Sequence, residues 1–367
     1  MLKRKKMCSK EGEKMRVGIL DIDTKKEKLG HGKYDKFPNL ACGKIYGYHK
    51  QLGDEVIYPY KGERVDILYI STVFSWTKRH LPKIIDSYKH VAKEIIVGGT
   101  GYDWRSKLSP EIENVDHRWT YEMYGIDYGI GFTIRGCHVG CSFCVVPRKE
   151  GIKEYRVATI EQLINPKSNH IVLLNNNSLA DVGFFDDVQE IKERGLTVNW
   201  NQANDITLVE PKHAAALASV EYRNFARTSK MLHFACDQMI KRKRDPFTKE
   251  FIHYDMMEVV PEKVRLLKEF GIPARHLTFY MLIGFDTTLE EDLARFQMLN
   301  DLGCNVYAMM FRDLNGKVGV DGKGKRQSSH VKPLRDWING YGFRNVKFED
   351  FDRYKKALED ERQISLF

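Results

Sequence analysis

Three cysteines are the residues of this sequence whose type and spacing most clearly indicate chemistry. Cys137, Cys141 and Cys144 form a C-x-x-x-C-x-x-C pattern, with Gly136 and Gly140 beside them. Thiolates select zinc and iron-sulfur clusters over hard cations, and glycine lets the backbone turn tightly around such a centre. A closed zinc site or a complete iron-sulfur site uses four protein ligands. The pattern therefore predicts a soft-metal centre with one coordination position left for another ligand.

Two other interpretations of the cysteines fit the pattern less well. A zinc knuckle needs His138 as its fourth ligand, but this residue follows Cys137 directly, and no second thiol pair is near. A disulfide leaves one of the three cysteines unpaired, and the first residues contain no apolar export signal. We therefore expect a reducing compartment, the cytoplasm, with zinc as the alternative metal.

With Phe143 as its aromatic residue, the segment resembles the C-x-x-x-C-x-aromatic-C signature of the radical S-adenosylmethionine (radical SAM) superfamily. The resemblance implies that the three cysteines hold a four-iron, four-sulfur (4Fe-4S) cluster, with S-adenosylmethionine chelating the fourth iron. It also implies reductive cleavage of S-adenosylmethionine to a 5′-deoxyadenosyl radical that abstracts hydrogen from a substrate. The electron would come from a flavodoxin- or ferredoxin-like donor. The protein's part is positioning and exclusion of water.

Composition indicates a soluble globular protein, because 42% of the 367 residues are hydrophobic and 30% are charged. No stretch approaches the roughly 20 apolar residues of a membrane span. The net charge of +9 is concentrated near the two ends of the chain. Residues 1–16 carry seven Lys or Arg against two acids, and residues 312–356 carry twelve against six. These regions predict either contacts with RNA or DNA, or a solubilising tail and an ordinary packed C-terminal segment.

The N-terminal part of the chain alternates between strand and helix patterns. Apolar runs predict strands at residues 17–20, 56–58, 66–71 and 94–97, and helices at 40–52 and 81–93. This alternation predicts a doubly wound, Rossmann-like domain over residues 15–121, after a basic leader at 1–14. The arrangement resembles the cobalamin-binding domain of one branch of the superfamily. It has no D-x-H-x-x-G motif to supply a histidine to cobalt, so cobalamin is not the favoured cofactor.

The rest of the chain predicts a second α/β domain. Strand patterns occur at residues 128–134, 170–174, 196–200, 231–236, 276–282 and 305–310, with helical patterns between them. Six strands suit a partial (β/α)6 barrel over residues 122–312, as the superfamily resemblance implies. A basic C-terminal extension then covers residues 313–367.

Polar residues that follow these strands are the candidates for cosubstrate binding, because barrel chemistry lies at the carboxyl ends of strands. The resemblance implies that Phe143 packs beside the adenine and that Gly284 lies in a segment flanking it. It places asparagines where the superfamily has Gly-Gly-Glu for the methionine amino group, and it suggests Asp237 for the ribose hydroxyls. The predicted cofactor-binding residues are Phe143, Asn175, Asn176, Asn177, Asn201, Gln202, Asp237 and Gly284.

The sequence thus favours a radical SAM enzyme whose substrate is unknown, with a nucleic acid or a nucleotide derivative suggested by the charge distribution. The alternative enzyme is a cobalamin-dependent radical SAM methyltransferase. The alternative from another class is a zinc-stabilised nucleic-acid-binding protein. The two enzymes differ in bound corrinoid, and the third protein would bind zinc and leave S-adenosylmethionine intact.

Overall fold

The structure is a computed structural model that describes residues 14–23, 37–59, 62–180, 183–244, 250–313, 323, 325 and 327–364. The predicted basic leader, except for Lys14, lies outside the described residues. The chain divides into two compact units. The N-terminal unit contains the described residues up to Gly131 together with Glu161–Asn169, and the C-terminal unit contains Phe132–Ile160 and the described residues from His170 onward.

A parallel four-stranded sheet forms the centre of the N-terminal unit. Its strands are β1 (Arg16–Asp21), β2 (Glu55–Ile57), β3 (Val65–Ser71) and β4 (Ala92–Gly98). They are hydrogen-bonded in the order β2-β1-β3-β4. Val17 lies opposite both Val56 and Ile67, and Leu68 lies opposite Ile95. The near-continuous apolar runs of β1 and β3 are typical of strands covered on both faces. All four predicted strands are confirmed to within two residues.

Up to Gly131, the described part of the N-terminal unit has four α-helices and one further short strand. They are α1 (Leu40–Gln51), α2 (Leu81–Tyr88), α3 (Pro110–Glu113), α4 (Arg118–Tyr124) and β5 (Gly129–Gly131). The side chain of Asn39 caps α1 by accepting from the backbone N–H groups of Ala41 and Cys42. The prediction that α2 reaches residue 93 was wrong. The helix ends at Tyr88, whose buried hydroxyl donates to the Pro59 carbonyl oxygen at 2.9 Å, and β4 begins at Ala92.

Close packing between α1 and α4 gives the first testable prediction. A Cβ atom at Gly43 would lie 2.7 Å from Thr120 Cα, so Gly43→Ala should lower the free energy of unfolding by about 1–3 kcal/mol. An exposed helix would show the opposite sign, because alanine normally stabilises a helix by about 0.5–1 kcal/mol over glycine. Urea unfolding measures the difference. The control Ala41→Gly reports helix propensity alone, and a stabilised Gly43→Ala variant would show that the helices are not in close contact.

The C-terminal unit contains ten strands within the described residues. They are β6 (Ile134–Arg135), β7 (Tyr155–Arg156), β8 (His170–Leu173), β9 (Thr197–Trp200), β10 (Glu221–Tyr222), β11 (Leu232–Ala235), β12 (Ile240–Arg244), β13 (Phe251–Asp255), β14 (Leu277–Ile283) and β15 (Asn305–Met310). The remaining helices of the described chain are α5 (Val146–Lys149), α6 (Ile160–Leu163), α7 (Phe184–Glu193), α8 (Pro211–Ala218), α9 (Met256–Glu269), α10 (Leu289–Asp301), α11 (Val331–Asn339) and α12 (Asp352–Ile364).

Parallel pairing dominates this unit. Strand β9 pairs with β8 and β10, and β14 pairs with β11 and β15, all in parallel. A parallel bridge between Asn204 and Phe234 joins the segment after β9 to β11. The predicted strands at 170–174, 196–200, 231–236, 276–282 and 305–310 are confirmed within the sheets. The protein is therefore an α/β protein with parallel sheets in both units.

The predicted strand at 128–134 is interrupted in the structure. It is replaced by β5 and β6, which are separated by Phe132 and Thr133. The backbone N–H groups of Thr133 and Ile134 donate to the Asn175 side-chain oxygen, at 2.8 and 3.3 Å. A side-chain acceptor thus takes donors that a continuous strand would use for ladder bonds. The antiparallel hairpin of β12 and β13 was not predicted at all.

Aromatic residues of the predicted C-terminal extension pack within the C-terminal unit. Trp337 and Phe348 are buried, and the Trp337 ring contacts Phe296 of α10 as well as Phe343 and Phe348. The Trp337 indole N–H donates to the Val346 carbonyl oxygen at 2.9 Å. Of the two interpretations given above for residues 312–356, these contacts match the packed C-terminal segment. None of the helices in the described part of the chain has both the length and the apolar character that a membrane crossing requires.

Candidate metal centre

The three cysteines lie in a loop closed at its base by a short antiparallel ladder. Strands β6 and β7 pair through Ile134 with Arg156 and through Arg135 with Tyr155, and residues 136–154 form the loop between them. The Cys137 backbone N–H donates to the Gly151 carbonyl oxygen at 3.2 Å. At the start of the loop, Gly136 has φ of 83°, and a Cβ atom there would lie 2.9 Å from the Lys153 carbonyl carbon. Only glycine fits both the conformation and the space.

Glu150 ties the beginning of the loop to the segment after β8. Its carboxylate accepts from Arg135 Nη1 at 2.6 Å, from the Gly136 backbone N–H at 3.3 Å and from Asn176 Nδ2 at 2.8 Å. Burial disfavours the charged carboxylate, but the Arg135 guanidinium and the Asn176 amide outweigh it, so the pKa of Glu150 lies below its usual range. Asn176 also donates to the Gly136 carbonyl oxygen at 3.2 Å. One predicted asparagine is therefore fixed directly against the cysteine loop.

A second carboxylate, that of Glu154 at the end of the loop, orients His138 near its beginning. Glu154 Oε1 accepts from the His138 backbone N–H at 2.8 Å and lies 2.7 Å from His138 Nδ1. Zinc-binding histidines usually have a carboxylate partner of this kind, which fixes the ring and its tautomer. Among the residues that the structure describes, however, no three His, Cys, Asp or Glu side chains are grouped so that they could hold one metal ion.

The cysteine thiols are partly buried in a polar surrounding. Burial raises the pKa of Cys137 to about 11 and that of Cys141 to about 12, and it raises the pKa of Cys144 as well. The Val146 backbone N–H at the start of α5 lies 3.4 Å from Cys144 Sγ and favours its thiolate. Metal ligands must be deprotonated, so the thiolates of this site would form together with a group that brings its own positive charge. Thiolates are the donors that a soft metal prefers, although the three sulfurs are not grouped around one position in this structure.

Two lysines of β12 share one buried carboxylate close to the cysteines. Asp205, which follows β9, lies 2.9 Å from Lys241 Nζ and in direct contact with Lys243 Nζ. The two lysine side chains are only 13% and 6% exposed. Burial opposes ionisation of Asp205, but Lys241 and Lys243 outweigh it and lower its pKa to about 2. We call Asp205, Lys241 and Lys243 the lysine triad. Its two ammonium groups and one carboxylate leave one positive charge in excess.

The pKa values of the two lysines are shifted in opposite directions. Burial disfavours the ammonium of Lys241, yet Asp205 and Cys141 outweigh it and raise the pKa. For Lys243, burial outweighs Asp205, and the pKa is lowered. The Lys241 ammonium in turn lowers the pKa of Cys141, against the larger effect of burial. The cysteine loop therefore lies within the electrostatic influence of a buried cation.

Sequence reasoning missed this triad, although a signal was present. Residues 240–244 are I-K-R-K-R, and strand alternation places Lys241 and Lys243 on the same face. A run of four basic residues is usually a solvated segment. In the sequence, Asp205 is only the last residue of an Asn-Gln-x-x-Asp stretch. Nothing local in the sequence links residue 205 with residues 241 and 243.

Asp237, predicted for the ribose, also lies near the cysteines. Its Oδ1 accepts from the Leu282 backbone N–H at 2.9 Å. Burial raises its pKa, against the opposing effects of that hydrogen bond, Lys241 and Arg295. Asp237 in turn contributes to the raised pKa of Cys141 and Cys144. The structure thus brings this predicted residue into the same electrostatic site as the thiols and the lysine triad.

The other two asparagines of the predicted trio differ in the use of their amides. Asn175 donates to Thr133 Oγ1 and Ser178 Oγ and accepts from two backbone N–H groups, so its hydrogen-bonding capacity is used within the fold. Asn177 accepts from the Asp205 backbone N–H at 3.2 Å. Its buried Nδ2 has no hydrogen-bond partner within the described part of the chain. Of these two, Asn177 retains a donor for a ligand.

The remaining predicted residues differ in whether their groups are already engaged within the fold or accessible to a ligand. The Phe143 ring is edge-on to Phe285 at 5.5 Å, and Phe285 contacts Phe311. Gly284 donates from its backbone N–H to Asp292 at 3.2 Å, and its carbonyl oxygen accepts from Gln327 at 3.0 Å. Both backbone groups of Gly284 are therefore engaged. Asn201 is partly exposed and Gln202 is exposed, so both side chains are accessible to a ligand.

Comparisons with known proteins give only distant likenesses. No protein-family model and no curated protein sequence matches the chain. The chain aligns with the crystal structure of methylornithine synthase (PylB) at 16% identity and a TM-score of 0.37, over 64% of this chain and 71% of PylB. It aligns with Streptococcus suis SuiB bound to precursor peptide SuiA at 8% identity and a TM-score of 0.39, over 74% of this chain and 59% of SuiB. TM-scores this low carry no argument about fold or function.

Proposed function

We propose that the chain is a radical SAM enzyme whose net reaction is still to be identified. The observation that carries the proposal is the loop of Cys137, Cys141 and Cys144, three thiols in the spacing of the superfamily signature, closed by a strand ladder. Three cysteine ligands leave one position open, which a purely structural site would not need. The surrounding α/β unit with parallel strands is compatible with this function. On this proposal its finer architecture is the partial (β/α)6 barrel.

The chain's own residues supply binding and positioning in this proposal. Cys137, Cys141 and Cys144 would hold a 4Fe-4S cluster, which supplies one electron for reductive cleavage of S-adenosylmethionine when bound. Asn177 has a free amide donor that suits a carboxylate or hydroxyl of the cosubstrate, and Asp237 suits its ribose. Phe143 offers an apolar ring edge to the adenine. Asn201 and Gln202 complete the predicted set.

The buried lysine triad adds an electrostatic contribution. Reduction of a cluster held by these cysteines would add negative charge to the site, and Lys241 lies where it stabilises negative charge on Cys141. Low-dielectric surroundings strengthen that effect. We infer that Lys241, which is held by Asp205, would favour the reduced state of a cluster bound to the three cysteines. The electron donor would be a flavodoxin- or ferredoxin-like protein of the reducing cytoplasm.

A zinc-stabilised nucleic-acid-binding protein is the second candidate. It is favoured by the His138–Glu154 pair, because that pairing is typical of a zinc-binding histidine. In this case His138 would be the fourth ligand beside the three cysteines. S-adenosylmethionine would then not be cleaved.

The deciding experiment uses protein purified and reconstituted without oxygen. After reduction with dithionite and addition of S-adenosylmethionine, 5′-deoxyadenosine is measured by chromatography, alongside iron, zinc and corrinoid content. About four irons per chain together with 5′-deoxyadenosine would support the radical SAM assignment. Bound corrinoid in the same sample would indicate the cobalamin-dependent methyltransferase and a cobalamin-binding N-terminal unit. One zinc per chain with no cleavage would refute the proposal and support the second candidate.

A further inference from the structure

Exposed aromatic rings occur in the two loops that follow β3 and β4 in the N-terminal unit. Phe74 and Trp76 are 40% and 44% exposed, and their rings are stacked at 4.4 Å with an interplanar angle of 12°. Tyr102, in the neighbouring loop, is 40% exposed. Because β3 and β4 are adjacent and parallel, both loops leave the same edge of the sheet, the carboxyl edge where α/β sheets usually bind ligands. We call Phe74, Trp76 and Tyr102 the aromatic platform.

Several backbone contacts hold these loops in place. Asp23 accepts from the Val73 backbone N–H and from Thr77 Oγ1, the latter at 2.7 Å. Between the loops, the Thr72 backbone N–H donates to the Gly98 carbonyl oxygen at 3.2 Å, and the Gly101 N–H donates to the Thr72 carbonyl oxygen at 2.9 Å. A Cβ atom at Gly101 would lie 2.7 Å from the Phe74 backbone nitrogen. The exposed rings are therefore carried on anchored loops.

Cations surround the aromatic platform. Lys78 Nζ lies 5.5 Å from the centre of the Tyr102 ring, and the Arg105 guanidinium lies 4.5 Å from the centre of the Trp104 ring. Residues 72–80 and 99–109 together contain four Lys or Arg and one Asp. That acid, Asp103, lies 3.7 Å from Arg105 Nη1. With Asp23 counted as well, four Lys or Arg stand against two acids, so the surface combines exposed aromatic rings with an excess of positive charge.

We propose that the aromatic platform binds single-stranded nucleic acid. Single strands expose base faces that stack on aromatic side chains, and their phosphates are recognised by neighbouring Lys and Arg. A duplex keeps its base faces stacked internally, so it could use only the cations. Base stacking is tolerant of sequence, because every base has a π face. This inference rests on the N-terminal unit alone and does not depend on the metal centre.

The test is a binding titration with the full chain and a fluorescein-labelled 12-nucleotide oligouridylate, followed by fluorescence anisotropy. The oligonucleotide should bind more tightly than a duplex of the same length, and affinity should fall as salt rises. The double variant Phe74→Ala, Trp76→Ala should weaken binding by about tenfold to a hundredfold. Trp76→Phe, which keeps a π face, should retain most of the affinity. Lys78→Ala should reduce the slope of log affinity against log salt by about 1.

Two control variants show whether the rings of the platform themselves bind the oligonucleotide. Phe185→Ala removes a partly exposed ring of α7 and should leave oligonucleotide binding unchanged. Cys141→Ala should also bind the oligonucleotide normally, so failure of the enzyme proposal would not affect this result. Equal binding of single strand and duplex would overturn the inference, as would unchanged affinity of the double variant. Size-exclusion chromatography gives the oligomeric state of both proteins. A wild-type dimer and a monomeric double variant with unchanged oligonucleotide affinity would also overturn the inference and show that the platform joins two copies of the chain.

Discussion

On the radical SAM proposal, Cys141→Ala should abolish 5′-deoxyadenosine formation and reduce bound iron from about four atoms per chain to nearly none. The reason is that the site has only three thiols, and removal of any one leaves too few ligands to retain a cluster. Iron is measured colorimetrically after anaerobic reconstitution, and 5′-deoxyadenosine is measured by chromatography. The fold should survive, because the loop is closed by β6 and β7 and by the Glu150 contacts.

Cys304→Ala provides the matched control for this prediction. Cys304 is a buried thiol next to β15, where free cysteines usually act as small apolar residues. This variant should keep both its iron and its activity, although it will be slightly less stable. If Cys141→Ala retained iron and still cleaved S-adenosylmethionine, the cysteine loop would not be the site of the cluster.

Asp205→Asn should lower the free energy of unfolding by about 3–5 kcal/mol. The substitution keeps the shape of the side chain but removes the carboxylate that Lys241 and Lys243 share. Breaking a buried ion pair on one side leaves an uncompensated buried charge, and here two ammonium groups are affected. Urea unfolding followed by circular dichroism measures the change. The control Asp86→Asn breaks an exposed pair with Lys89 and should lower the stability far less, because solvent screens that pair.

The pKa of Asp205 predicts that the stabilities of the wild type and of Asp205→Asn respond differently to acid. The pKa of Asp205 is lowered from 3.8 to about 2, so its ionised form stabilises the fold above pH 4. That contribution, about 2 kcal/mol, is lost as the pH falls from 4 towards 2. The Asp205→Asn variant has no carboxylate at this position, so its stability cannot change through this titration. The stability difference between wild type and variant should therefore narrow over this pH range, and a constant difference would show that the carboxylate is not tightly paired.

The sequence was most informative where the signal is local. The three cysteines lie within eight residues of one another, and the apolar runs of β1, β3 and β14 identify buried strands without reference to the rest of the chain. Helix α1 could be predicted from the helical spacing of its apolar residues. These features depend on neighbouring residues only, so one sequence is sufficient to find them.

Features that depend on distant residues were not predictable. The break between β5 and β6 is caused by Asn175, about forty residues away, whose side chain takes two backbone donors. The lysine triad joins residue 205 to a hairpin whose basic sequence favours exposure. Asn175, Asn176 and Asn177 are chemically identical, yet only the tertiary structure distinguishes the fully bonded amide from the one with a free donor. Side-chain contacts of this range have no signature in a single sequence.

The ladder at the base of the cysteine loop has a consequence for how the protein matures. Closing a loop has an entropic cost, and in many small metal sites the metal itself must meet that cost. Here the β6–β7 ladder and Glu150 bring the two ends of the loop together through contacts between protein groups. In the radical SAM proposal, cluster insertion would therefore meet less of this entropic cost.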